Sequence, residues 1–161
     1  MNLTITIEKL AIETGKLLQD RGLKLATAES CTGGGLSYWL TSVPGSSDWF
    51  ERGFVTYSNN AKIEVLGVSP ETLDQFGAVS EEVANEMADG ALNFSQADIS
   101  IAITGIAGPD GGTTEKPVGT VWLAWSHSMT TLTKDYHFTG DRQSIRQQAM
   151  EQALSVLLAI L

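Results

Sequence analysis

Apolar residues recur three and four positions apart at the start of the chain, through Ile7, Leu10, Ala11, Thr14, Leu17 and Leu18, and the pattern stops at Gly22. This spacing lays one mostly apolar stripe along a helix from about Ile5 to Arg21, closed by the glycine. The compact apolar run Leu23 to Ala28 reads as a strand. Helical spacing returns at Leu36, Trp39 and Leu40 and is broken by Pro44-Gly45-Ser46-Ser47. Phe50 to Tyr57 predicts a second strand. Ser58-Asn59-Asn60 then caps a short helix carrying Lys62, Val65 and Leu66, because Ser and Asn side chains accept from the free N–H groups of a first turn. Ser80, followed by Glu81 and Glu82, opens a longer helix to about Phe94, with its acids at the positive end of the helix dipole. Ala97 to Thr104 reads as a third strand. Val118 to Trp125 and Thr131 to Phe138 form an antiparallel hairpin around Ser126 to Thr130, and a last helix runs from Asp141 to near Leu161. This alternation predicts an α/β fold, a three-layer α/β/α sandwich around a mixed, mostly parallel sheet of about five strands.

Composition narrows the picture. The 161 residues suit a single domain spanning the whole sequence, with no linker, internal repeat or low-complexity tract. Nineteen acidic residues against ten basic ones give a net charge of −9. That balance argues against nucleic acid or an acidic membrane surface as partner, since both need clustered Lys and Arg, and it favours small-molecule chemistry. Cys31 is the only cysteine, so no internal disulfide forms and a cytoplasmic setting is expected. Met1 to Ile12 lacks a basic region followed by an apolar core, so no signal peptide is expected, and no run reaches membrane-spanning length.

Candidate chemistry gathers at three strand ends. After the first strand, Glu29-Ser30-Cys31-Thr32 runs into Gly33-Gly34-Gly35, a turn that exposes a nucleophile-sized hydroxyl beside helix N–H groups able to bind a phosphate or an oxyanion. The pattern is neither a P-loop nor a G-x-S-x-G elbow. The second strand ends at Tyr57 with Lys62 close behind, and the third ends in the glycine-rich loop Thr104 to Gly112. If the strands are parallel, these loops meet at one carboxyl edge, where open α/β sheets bind ligands.

Ser30 needs a base, and a neutral lysine supplies one. A free lysine has a pKa of about 10.4, so lowering it toward neutrality takes roughly 3 to 4 kcal/mol of destabilisation of the ammonium, from burial or a neighbouring cation. Lys62 is therefore either this base or a surface or phosphate-binding lysine. Cys31 is read as a small buried hydrophobe, and His127 and His137 as surface or packing residues. Tyr57 either packs or offers its hydroxyl, and Glu29 either orients Lys62 or the substrate, or supports its loop. Arg142 and Arg146 lie one turn apart on one face of the last helix, and either could bind phosphate. Trp39, Trp49 and Phe50 either cover a substrate ring or fill a core or dimer contact.

Four segments, Thr27-Ala28-Glu29-Ser30-Cys31-Thr32-Gly33-Gly34, Gly53-Phe54-Val55-Thr56-Tyr57-Ser58-Asn59, Gly77-Ala78-Val79-Ser80 and Thr104-Gly105-Ile106-Ala107-Gly108-Pro109-Asp110-Gly111-Gly112, together resemble the CinA carboxy-terminal domain family. The resemblance spans nearly the whole chain and points to the family's stand-alone nicotinamide mononucleotide deamidases. It implies a serine/lysine amidohydrolase that converts nicotinamide mononucleotide and water to nicotinate mononucleotide and ammonia, recycling pyridine nucleotides without a metal or cofactor. The implied catalytic residues are Ser30, Lys62 and Tyr57. The implied substrate contacts are Glu29, Thr32, Gly33, Gly34, Thr104, Gly105, Gly108 and Arg142, and a homo-oligomer, most simply a dimer, is expected. A non-catalytic nucleotide-binding or regulatory relative would keep the glycine loops and Arg142 without releasing ammonia. An amidase for another small amide would keep Ser30 and Lys62 but change the ring or phosphate contacts.

Overall fold

The computed structural model describes residues 3–161, so the first two positions of the predicted amino-terminal stretch lie outside the described residues. In chain order the elements are α1 (Leu3–Arg21), β1 (Leu25–Glu29), α2 (Gly35–Thr41), β2 (Phe50–Val55), α3 (Asn59–Leu66), α4 (Pro70–Phe76), α5 (Glu81–Asn93), β3 (Ile99–Gly105), β4 (Thr120–His127), β5 (Thr130–His137) and α6 (Arg142–Ile160). The five strands form one sheet in the order β2-β1-β3-β4-β5. β1 pairs parallel with both β2 and β3, while β4 pairs antiparallel with β3 and with β5. The predicted mixed sheet is thus parallel at β2-β1-β3, the half that carries the three chemistry-bearing loops.

The two faces of the sheet differ in side-chain size, and this decides which helices cover them. Ile99, Ile101 and Ile103 of β3, with Leu123 and Trp125 of β4, pack against α1, α2 and α6 through Ile7, Leu18, Leu36, Leu40, Ala149 and Leu154. Trp125 also donates its indole N–H to Ala153 O at 2.9 Å. The opposite face is built from Ala26, Ala28, Ala102 and Ala124 and receives α3, α4 and α5 through Leu66, Leu73, Val83, Ala84 and Met87. Small side chains let α5 lie close to the sheet, where Ser100 Oγ donates to Ala88 O at 2.7 Å. Trp49 is buried against α1, where Gly15 makes room for its ring, and Trp39 and Phe50 pack at the border of the same core. These aromatic residues belong to the core side of the sheet and do not line the candidate site.

Three local differences from the sequence pattern have physical causes. α4 is an additional helix: Ser69-Pro70-Glu71 is a sound helix start, but the helix is seven residues long and buries only Leu73, too little to show as a stripe. β2 stops at Val55 because the next amide, Thr56 N, makes its last bond to β1 at Glu29 O, and the Thr56 and Tyr57 carbonyls turn to a side chain instead. The hairpin turn is tighter than expected, since His127 pairs with Thr130 and only Ser128 and Met129 bridge the strands. Both have positive φ, at 51° and 65°, without the Asn or Gly that advertises such a turn. Among the described residues, no helix is long and apolar enough to cross a membrane.

α3 is held in place by α5 at Gly90, whose missing side chain admits the Leu66 carbonyl. Gly90→Ala puts a methyl group into that backbone and is expected to cost about 1–3 kcal/mol, as overpacked cores do. Denaturant unfolding checks this, and a variant as stable as the parent would show that α3 is not clamped there.

Candidate active site

β1 delivers Ser30 to the carboxyl edge of the sheet. Its amide donates to Ile103 O at 2.9 Å, carrying the β1–β3 ladder one residue beyond the strand. In the turn that follows, Gly33 N donates to Ser30 O (3.0 Å) and Gly35 N donates to Thr32 O (2.9 Å). Gly33 and Gly34 have φ values of 56° and 94°, a left-handed conformation that disfavours side chains. The turn itself therefore needs these two glycines.

The first N–H groups of α2 are already occupied. The Glu29 side chain is fully buried and accepts from Thr32 Oγ1 (2.7 Å), Leu36 N (2.8 Å), Ser37 N (3.0 Å) and Ser37 Oγ (2.8 Å). A carboxylate is the favourable occupant of a positive helix end, and here the chain supplies its own. The Leu36 and Ser37 donors of the helix end are thus taken up inside the chain. Of the expected substrate contacts in this turn, Gly33 is exposed and Gly34 half-exposed. Glu29 and Thr32 are sealed inside, and none of the four lines the cavity described below.

α3 delivers the lysine. Ser58 caps it by accepting from Ala61 N at 3.0 Å, as expected from the Ser58-Asn59-Asn60 turn. Lys62 is 1 % exposed, and Ser30 is 8 % exposed. The amine Nζ lies 3.0 Å from Ser30 Oγ, 3.1 Å from Thr56 O and 3.2 Å from Tyr57 O. Among the described residues no carboxylate forms an ion pair with it. Burial pushes its pKa below the ordinary lysine value, because an ammonium loses its hydration there without gaining a counter-charge. The neighbouring Cys31 thiol is pushed up to about 12, first by burial, so it stays protonated and unreactive.

A cavity of about 290 Å³ opens over this pair. Ser30, Cys31 and Lys62 line it together with Tyr57, Thr104, Gly105, Gly108 and Arg142. Arg142 bridges two walls: Nη1 donates to Gly108 O at 2.6 Å and Nη2 to the Tyr57 hydroxyl at 3.2 Å. Thr104 Oγ1 donates to Ala78 O at 2.9 Å, which brings the turn before α5 to the cavity. The structure thus brings together Ser30, Lys62, Tyr57, Thr104, Gly105, Gly108 and Arg142.

Arg146 is turned elsewhere, with Nε donating to Cys31 O (3.0 Å) and Nη2 to Thr32 O (3.1 Å). Asn59, Ala78, Val79, Ile106, Ala107, Asp110 and Gly111 also line the cavity, without a role assigned from the sequence pattern. All seven fall in the four resembling segments, and the loop Thr104 to Gly112 was the available signal for the last four. His127 pairs with Ile99, at the far end of β3, and His137 lies on the outer strand β5, so neither lines the cavity. Among the described residues, no group of three or more His, Cys, Asp or Glu side chains could hold a metal ion.

The sequence profile of the CinA C-terminal domain matches residues 7–161. The chain is 53% identical over 150 residues to the nicotinamide-nucleotide amidohydrolase PncC of Escherichia coli (strain K12), covering 92% of this chain and 91% of that protein. It is 47% identical over 154 residues to the nicotinamide-nucleotide amidohydrolase PncC of Pseudomonas putida, covering 96% of each. Among solved structures, the competence/damage inducible protein CihA from Agrobacterium tumefaciens superposes with a TM-score of 0.94 at 46% identity, over 96% of this chain and 95% of that one. With the same sheet and a match of this length, the chain belongs to the CinA C-terminal domain family.

Proposed function

We propose that this chain is a nicotinamide-nucleotide amidohydrolase that converts nicotinamide mononucleotide and water to nicotinate mononucleotide and ammonia, in the recycling of pyridine nucleotides, with Ser30 as nucleophile and Lys62 as its base. The single observation that carries the reading is the buried, unpaired Lys62 amine 3.0 Å from Ser30 Oγ at the floor of a cavity. The names of relatives about half identical to this chain support the choice of substrate class. We assign the reaction to the cytoplasm, where the nucleotide pool is.

A neutral amine has two N–H groups and one lone pair. With the N–H groups donated to Thr56 O and Tyr57 O, the lone pair faces the Ser30 hydroxyl, which then donates to it. Lys62 takes that proton as Ser30 Oγ bonds to the carboxamide carbon. The resulting ammonium returns the proton to the departing nitrogen, the C–N bond breaks, and ammonia leaves an ester on Ser30. Lys62, neutral again, deprotonates a water that attacks the ester; cleavage of the C–O bond to Ser30 frees nicotinate mononucleotide and restores the hydroxyl. Arg142, a planar fork at the rim, is suited to the nucleotide phosphate, and the Tyr57 hydroxyl holds it toward the opening.

The direct test is ammonia release by purified protein from nicotinamide mononucleotide, nicotinamide and nicotinamide riboside under matched conditions. Release from the mononucleotide alone is expected; a folded protein that leaves it intact overturns the reading, and preference for another amide redirects it. Ser30→Ala is expected to lower turnover about a thousandfold or more without unfolding the chain, as loss of a nucleophile does. Cys31→Ala is expected to keep most of its turnover.

The Lys62 shift fixes a pH dependence. Since the reaction needs the neutral amine, kcat/KM rises with pH through a value below that of ordinary lysine. Stability follows the same sign: the unfolded chain, with lysine restored to its ordinary value, binds the proton more readily, so stability rises with pH between the lowered and the ordinary value. Lys62→Arg, which cannot shed its proton, is expected to be inactive. A folded Lys62→Arg chain with the parent's activity and pH profile would exclude Lys62 as the base.

At the rim, Arg142→Ala is expected to raise KM for the mononucleotide about 10- to 100-fold, the worth of a charge-assisted hydrogen bond. Isothermal titration calorimetry checks it, and unchanged affinity removes Arg142 from the phosphate site.

A further inference from the structure

Two charged side chains grip the turn that presents Ser30, and neither one lines the cavity. Glu29 takes the Thr32 hydroxyl of the turn and the Leu36 and Ser37 N–H groups of α2. Arg146 takes the C=O side. It projects from α6 one turn beyond Arg142 but faces the turn, where a single guanidinium donates to the carbonyls of two consecutive residues, Cys31 at 3.0 Å and Thr32 at 3.1 Å. A planar fork on two successive carbonyls fixes the orientation of two peptide planes as well as their position.

The orientation matters because a trans peptide carries its N–H opposite its C=O. Aiming the Cys31 and Thr32 carbonyls at α6 aims the Thr32 and Gly33 amides the other way, and the Gly33 amide donates to Ser30 O at 3.0 Å. Ser30 is then fixed on both sides of its Cα: its N–H by Ile103 O, its C=O by a peptide plane that Arg146 sets. Among the described residues, Lys62 is the only side chain that hydrogen-bonds Ser30 Oγ. Among the ion pairs of the described residues none includes Arg146, so its donors serve these two neutral carbonyls.

We infer that Arg146 is a positioning residue for the deamidation reaction: by holding the Cys31 and Thr32 carbonyls it keeps Ser30 Oγ in register with Lys62, and so sets kcat without touching substrate. The inference rests on the Ser30/Lys62 reading above. It separates two arginines of the same helix by role, Arg142 acting on binding and Arg146 on the chemical step.

The test compares Arg146→Met, which keeps an apolar stem and removes the fork, with Arg146→Lys, which offers a point charge to one carbonyl at a time. For Arg146→Met, kcat on nicotinamide mononucleotide is expected to fall about 10- to 100-fold, the range for a reacting group displaced by about an ångström. KM should change less than about threefold. Arg146→Lys should recover part of kcat, and added guanidinium ion should raise the kcat of Arg146→Ala in a saturable way. The limb of the pH profile should stay where the parent has it, because Thr56 and Tyr57 still hold Lys62. An undiminished kcat in Arg146→Met, or a loss that appears in KM with kcat kept, overturns the inference. If Arg146→Met does not fold, the same kcat and KM comparison on Arg146→Lys decides. Ser30→Ala measured in parallel separates the two readings. Turnover by Ser30→Ala overturns the nucleophile, whereas a silent Ser30→Ala beside a fully active Arg146→Met overturns this inference alone.

Discussion

Everything around the cavity is arranged so that one lysine amine sits out of water with no carboxylate to neutralise it. Holding an ordinary lysine uncharged at pH 7 costs about 5 kcal/mol, from the distance between that pH and its usual pKa. Keeping an unpaired ammonium buried costs several kcal/mol as well. Either amount is a large share of the ~5–15 kcal/mol that separates a folded domain from its unfolded chain. Lys62 is therefore a liability to the fold, and the local structure follows from containing it. β2 gives up its ladder at Val55 so that the Thr56 and Tyr57 carbonyls can face the amine. α3 is capped by Ser58, and its carboxyl end sits against Gly90 of α5, so the helix cannot move to rehydrate its lysine.

Glu29 shows the complementary solution for the opposite charge. Its carboxylate is as deeply buried as Lys62, yet it accepts four hydrogen bonds from Thr32, Leu36 and Ser37 at the positive end of α2. Two ionisable side chains bracket the same serine, then, and the fold treats them in opposite ways. The carboxylate is satisfied and inert, which fixes the turn. The amine is left short of compensation, which keeps it available for a proton. Had Glu29 faced Lys62, the pair would have held the ammonium charged and removed the base.

This contrast also marks where the sequence is legible and where it is not. The β1, β2 and β3 strand ends could be found from apolar runs that stop at polar or glycine-rich loops, and their parallel order brought Ser30, Lys62, Thr104 and Arg142 to one cavity. Strand alternation carries more than was read from it. Ala28 and Glu29 are neighbours in sequence but face opposite sides of the sheet, which sends the Glu29 carboxylate under α2. Arg142 and Arg146 share a helix face, and periodicity cannot tell that the glycine loop ends beside one and the Ser30 turn beside the other. α4 and the two-residue turn at Ser128 and Met129 escape notice for a local reason: one buries a single side chain, and the other adopts positive φ without the residues that favour it. Ala78 and Val79 reach the cavity from the short turn between α4 and α5, which Thr104 holds through Ala78 O, a tertiary contact that local pattern does not display.

Loops that carry a site have carbonyls that no ladder satisfies, and such groups need donors if the loops are to keep one shape. This acidic chain has ten Lys and Arg residues; three of them donate to loop carbonyls around the cavity, and a fourth donates to a carbonyl at the end of α4. Lys62 holds Thr56 and Tyr57, Arg142 holds Gly108, Arg146 holds Cys31 and Thr32, and Lys116 reaches Phe76 at the end of α4. Long basic side chains suit this task because they span gaps between elements, and the charged guanidinium groups among them make stronger hydrogen bonds than neutral donors. Arg142 and Arg146 thereby bring positive charge to the carboxyl edge of the sheet, where it serves two ends at once. It fixes the walls of the cavity, and at Arg142 it offers a positive charge to an anionic nucleotide on a molecule whose net charge would otherwise repel it.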